Sequence, residues 1–178
     1  MEGATIAYFH ATPYVLAMVD DIQTSFLASL NIDAVSALCK FNLAPLGCRR
    51  DIAMLGTLHK IALGMGPAPI AKLFPLATST LHTLGWTAGP AHFRQLADPV
   101  YPQSPLVLKR SIFGMVYVYN RLPSAIVRRP SVKLFQSSLQ LLLKEKASCT
   151  TDGSWQAFFK RTCQCNLITL NFITLEVE

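Results

Sequence analysis

Five sets of residues in this 178-residue chain have types that could do chemistry. Met18-Val19-Asp20-Asp21 matches in outline an aromatic-x-Asp-Asp pair, in which two carboxylates at a hairpin tip help hold the magnesium ions of phosphoryl transfer. Here the first position is Met, the flanking apolar residues recur with a helical period, and no third carboxylate lies in a suitable upstream strand. The pair therefore reads as an exposed acidic face on a helix. Cys149, Cys163 and Cys165 raise the question of zinc, but the last two are separated by one residue and no histidine follows His92. Gly64-Met65-Gly66-Pro67 is followed by no Lys-Ser/Thr, so it does not read as a phosphate loop. His10, His59, His82 and His92 pair with no Cys or Ser in a recognisable signature. No catalytic residue, metal, cofactor or small-molecule substrate is expected from these sets.

The fifth set is basic. Lys109, Arg110, Arg121, Arg128, Arg129, Lys133 and Lys144 fall in the stretch from Pro99 to Lys144, which holds no acid. That stretch carries the chain's excess of positive charge, +6 overall. Such a segment suits a polyanion, because each neutralised phosphate releases condensed counterions. The alternative is a solvated basic face. Arg128-Arg129, just before Pro130, is the strongest phosphate candidate, since a turn cannot bury two unpaired guanidiniums. Arg49-Arg50 is a second candidate; it opens a helix, where the dipole disfavours cations unless something anionic compensates. Phe113, Tyr117 and Tyr119 lie between Arg110 and Arg121 and could stack on bases, although core positions are the better expectation for Phe113 and Tyr117.

The elements that must position these groups are mainly α-helical. Thr12-Pro13 forms an N-cap and first-turn pair, and Val15, Val19, Ile22, Phe26 and Leu30 follow at helical spacing for about five turns. Asp33 caps a short helix through Leu43. After the loop closed by Pro45 and Gly47, a helix over Arg50–Leu63 carries the seam Ile52, Leu55, Leu58 and Ala62 and stops at Gly64. A short helix is expected around Ile70–Phe74, and Ser131 caps another to about Ala147. Ile112–Asn120 is ambiguous between strand and helix. The Pro and Gly residues between Thr83 and Pro105 indicate a long irregular connection. The expected organisation is a helical half over 1–82, a Pro/Gly-rich connection over 83–107, a basic helical half over 108–148 and a poorly ordered tail over 149–178, whose terminal stretch Asn166–Glu178 is β-prone.

Four blocks carry a family resemblance. They are Asp21-x-Gln23-x-x-Phe26-Leu27, then FNLAPLGCRRDIAMLG from Phe41, then LKRS-x-x-G-x-x-x-VYN-x-LP from Leu108, then SV-x-x-FQ-x-x-LQ from Ser131. In that order, over roughly His10 to Cys165, they resemble the C-terminal region of the reverse transcriptase of non-LTR (LINE-like) retrotransposons, of the type present in many copies in dinoflagellate and related algal genomes. The resemblance implies that the catalytic palm and its aspartates lie upstream of this region. It also implies a thumb or post-palm segment that grips the template-primer, an RNA or RNA–DNA duplex, through the basic residues above. A nuclear location follows if the chain derives from such an element.

Composition sets the alternatives. Apolar residues make up 51% of the chain. The mean hydropathy of +0.34 is high for an isolated soluble domain. It suggests a piece of a larger protein whose partner covers some surface. No window reads as a transmembrane span, and no basic region precedes an N-terminal apolar run as in a signal peptide. The five cysteines are odd in number and unevenly spaced, which favours reduced thiols and an intracellular chain. A helical protein-interaction module and a decayed element copy without a selected role remain beside the nucleic-acid reading.

Overall fold

Local signals set most helix starts. Helix α1 (Pro13–Ser29) begins with Pro13 in its first turn and with the Thr12 hydroxyl accepting from the Val15 N–H at 3.4 Å. Helix α2 (Ala34–Phe41) is capped by Asp33, whose Oδ1 accepts from the Ser36 N–H at 2.9 Å. Helix α3 (Leu46–Ala62) starts four residues before the Arg50 expected from the sequence. It ends in a Schellman turn: Gly64 takes φ +75°, the Met65 N–H reaches the Lys60 carbonyl at 3.0 Å, and the Gly64 N–H reaches that of Ile61 at 2.9 Å.

The computed structural model describes residues 9–78, 92–100, 104–150 and 152–160. After α3 come α4 (Ala68–Ala71), α5 (Leu106–Lys109), α6 (Ile112–Asn120), α7 (Ser124–Val127), α8 (Val132–Cys149) and a 3-10 turn at Ser154–Ala157. The fold is mainly α. Among the described residues the nearest approach to a sheet is one isolated antiparallel bridge between Leu76 and Leu96. The terminal 166–178 stretch and most of the Thr83–Pro105 connection lie outside the described residues.

Helix α3 is the centre. Met54, Leu55, Leu58 and Ile61 pack against Phe135, Leu139 and Leu142 of α8 and against Val116 and Tyr119 of α6, all buried. Each fully buried side chain of this kind contributes about 1.5–3 kcal/mol. The core draws on both expected halves, from Leu38 to Phe159, so they share one apolar interior. The ambiguous Ile112–Asn120 stretch is helix α6; Gly114, Met115, Val116, Val118, Tyr119 and Asn120 are all buried, a helix enclosed on most sides. Gly114 is required there, because a Cβ would collide with the Lys109 carbonyl.

Two expectations change at the edges of this core. Residues 92–100, expected to be part of a bare connection, are sewn to the end of α6 by side chains. Asn120 Nδ2 donates to the Leu96 carbonyl at 2.7 Å while its Oδ1 accepts from the Leu96 N–H at 2.8 Å. The His92 Nδ1 accepts from the Arg94 N–H at 3.1 Å, which leaves Nε2–H to donate to the Tyr119 carbonyl at 2.9 Å. The start of the tail, 152–160, likewise belongs to the interior: Trp155, Phe158 and Phe159 are buried.

Helix α1 departs furthest from expectation. It forms where predicted, yet none of its residues is buried. Its apolar stripe faces outward, with Tyr14 74%, Ile22 70%, Phe26 55% and Leu30 51% exposed. Polar contacts hold it to the body: Asp20 to Arg50, Gln23 Nε2 to the Ala44 carbonyl at 3.1 Å, and Arg110 to the Ala11 carbonyl at 2.7 Å. No single helix among the described residues is long and apolar enough to cross a membrane; α1 and α2 together have the length and composition but meet at 83°.

Candidate functional site

The nine basic residues singled out in the sequence do not converge on one surface. Arg50 drops out of the set. Its guanidinium is 6% exposed and meets the Asp20 carboxylate at two points, 2.6 and 2.7 Å, so it is withdrawn from any external phosphate. The same pairing corrects the reading of Asp20 as simply an exposed acid; Asp21 remains exposed.

Arg49 and Lys133 do come together. They border a groove of about 380 Å³ between α3 and α8, with Asn42, Gln136, Ser137 and Gln140. Among the described residues its lining contains no carboxylate. The groove exists because α8 places Lys133, Gln136 and Gln140 at spacings of three and four, opposite the buried Phe135, Leu139 and Leu142. Gln140 Nε2 donates to the carbonyl of Asn42, which ends α2 in the left-handed region at φ 58°, and so fixes the rim at 3.1 Å. The polar residues of the groove were legible as a stripe at this spacing; the sequence reading weighed only cations.

Arg128 and Arg129 part company. Both lie in the turn between α7 and α8, before the Ser131 cap. Arg128 is exposed, whereas Arg129 is half-buried and its Nε is enclosed with no hydrogen-bond partner. The expectation that both guanidiniums stand clear of the turn holds for Arg128 alone. The Arg129 carbonyl is anchored by His59 Nε2 at 3.0 Å. His59 is wholly buried, stacks on Phe135 with centroids 4.1 Å apart and planes 8° apart, and lies 3.2 Å from the Tyr119 hydroxyl through Nδ1. With Nε2–H donating to a carbonyl, Nδ1 accepts from that hydroxyl in the neutral ring. Burial holds the His59 pKa below its ordinary value and pushes that of Tyr119 up.

The remaining cations are engaged locally. The Arg121 guanidinium lies 5.4 Å from the Tyr117 ring centroid, and its Nη1 donates to the Tyr117 hydroxyl at 3.3 Å. Tyr117 and Phe113 are half-buried, and Phe113 stacks on Phe74 at 5.0 Å. Lys109 and Arg110 end α5 beside Asp51 and Lys160, away from the groove of Arg49 and Lys133.

Nucleophilic chemistry has little to work with. Cys48 is buried, donates to the Gln156 carbonyl at 3.3 Å, and has its thiol pushed up to about 12 by burial. Cys39 and Cys149 are exposed; Cys163, Cys165 and His82 lie outside the described residues. Among the described residues no group of three or more His, Cys, Asp or Glu side chains is placed to hold a metal ion. The arrangement offers positive charge and amide donors on a rigid helical frame.

No protein-family model, curated protein or solved structure matches the chain.

Proposed function

We propose that the chain contacts the phosphate backbone of an RNA or RNA–DNA duplex and performs no chemistry of its own, as a thumb-like segment of a reverse transcriptase would. The observation that carries this reading is the groove of Arg49 and Lys133, whose lining among the described residues holds no carboxylate and is bordered by amide side chains able to donate to phosphate oxygens without reading sequence. The exposed Arg128 lies five positions before Lys133, in the turn that leads into the positive end of α8, where an anion offsets both the side-chain charges and the dipole.

Fluorescence anisotropy with an RNA–DNA hybrid at a series of salt concentrations tests it. Expected is weak, sequence-indifferent binding whose log–log salt slope falls by about one for each cation removed in Arg49→Ala, Arg128→Ala and Lys133→Ala. Binding with an unchanged slope in all three variants sinks the assignment.

A second reading has its own observation, the outward apolar stripe of α1. It supports a helical module that docks a protein, with salt-insensitive association. Sedimentation of wild type and Ile22→Asp separates the two, because that substitution removes apolar docking and leaves every candidate phosphate contact in place.

A further inference from the structure

Two cavities lie side by side between the start of α1 and the α5–α6 turn, with Phe9 and Ser111 lining both. The first, about 300 Å³, has apolar walls from Leu16, Leu106, Met115 and Phe159, with charge gathered on one side, where Arg50, Lys109, Arg110 and Lys160 lie around the Asp51 carboxylate. The second, about 600 Å³, is apolar, walled by Met54, Val107, Leu108, Ile112 and Phe113, with His10 and Ser111 the polar residues among those described. Both volumes fall within the range of about 300–1,000 Å³ typical of small-molecule sites. Since Asp20 already offsets Arg50, the formal charge of the first cavity remains positive.

Asp51 is the unusual group. It is 2% exposed, and its Oδ2 has no hydrogen-bond partner, only the Lys160 ammonium at 3.5 Å on a half-exposed side chain. A buried carboxylate held so loosely has hydrogen-bonding capacity to spare. Burial pushes its pKa up to about 6, so an anion arriving beside it favours the protonated form, which then donates to that anion.

We propose that the adjoining cavities bind a single-chain amphiphile with an anionic head, the head against Lys109, Arg110 and Lys160 above Asp51, the alkyl chain along Met54, Val107, Leu108, Ile112 and Phe113. A charged chamber opening beside an apolar one of twice its volume fits this ligand and neither a bare anion nor a neutral oil. Gly114 lines the charged chamber and permits the close α5–α6 approach that sets Lys109 and Arg110 at its edge.

The test is calorimetric titration of the full chain with dodecanoate below its micelle concentration. Expected is saturable one-to-one binding, at least about tenfold weaker for hexanoate, since each buried methylene contributes roughly three- to fourfold in affinity. Dodecyltrimethylammonium should bind more weakly still. Arg110→Gln, in the head site, and Val107→Asp, in the tail site, should each reduce affinity about tenfold. Val107 is 69% exposed, so its substitution leaves the core packing alone; circular dichroism checks the fold of both variants. Dodecyl phosphate in a parallel titration assigns the head: tighter than dodecanoate indicates a phosphate, weaker a carboxylate, and either outcome supports the site. Equal binding of the alkyl cation, absence of saturation, or wild-type affinity in both folded variants overturns it.

Discussion

Asp20 and Arg50 stand 30 residues apart in sequence and meet in a two-point fork, Oδ1 to Nη1 at 2.6 Å and Oδ2 to Nη2 at 2.7 Å. The fork joins the middle of α1 to the first turn of α3, on an inner face where Asp20 and Gln23 alternate with the half-buried Leu16, Val19 and Leu27. Removing one partner of an enclosed ion pair costs about 3–5 kcal/mol when the other stays enclosed. Release of α1 would return Arg50 to water and avoid that cost. Asp20→Asn is therefore expected to raise proteolytic cleavage within α1 about tenfold or more, while the denaturation midpoint of the core moves little. A large fall in that midpoint would show that α1 melts together with the core.

Asp51 gives stability an inverted acid dependence. Its folded pKa, about 6, lies above the ordinary value of 3.8, so between those values the folded state binds more protons than the unfolded. Stability from this group is fully present below the ordinary value and is lost as pH rises through about 6. Asp51→Asn should therefore be more stable than wild type at pH 7 by on the order of 2 kcal/mol, with the difference shrinking toward pH 4. Urea denaturation across that window measures it; a constant difference would refute the assignment.

His59 works in the opposite sense. Burial lowers its folded pKa, so its contribution is present above about pH 6.5 and is lost as pH falls through the lower, folded value. His59→Leu keeps the bulk but leaves the Tyr119 hydroxyl and the Arg129 carbonyl without this partner. A loss of about 2–4 kcal/mol is expected at pH 7.5, narrowing in acid. A loss independent of pH would mean that shape alone matters there.

Gly114→Ala adds one methyl and places it against the Lys109 carbonyl, a backbone atom that cannot step aside. Destabilisation of about 3 kcal/mol or more follows, read as a fall of several degrees in Tm. Gly64→Ala, where nothing lies within 4 Å but φ is +75°, should cost only the backbone strain of about 1 kcal/mol.

What was legible in the sequence is what is decided locally. Thr12, Asp33 and Ser131 cap the helices they were expected to cap, because an N-cap bond spans only three residues. The seam of α3 was equally plain, since Leu55 and Leu58 recur at one face and both are fully buried. Periodicity reveals a stripe and not its direction, so the stripe of α1 gave no sign that it faces outward. The β-branched and aromatic residues of α6 favour a strand in isolation; packing against α3 outweighs that preference. The withdrawal of Arg50 and the anchoring of residues 92–100 depend on partners about 24 to 30 positions away, Asn120 and Asp20, which no local pattern encodes.

A helix fastened by polar pins with its apolar side in water gains little from the force that holds most helices down. Its release exposes less hydrocarbon than that of a core helix, chiefly from the half-buried Leu16, Val19 and Leu27, so denaturant has less to act upon. Backbone amides of α1 should exchange with deuterium through an opening only weakly sensitive to urea, while those of α3 and α8 exchange through one that steepens with it. Whatever covers Ile22 and Phe26 would then be felt first as a slowing of that exchange, well before any change in the melting of the whole.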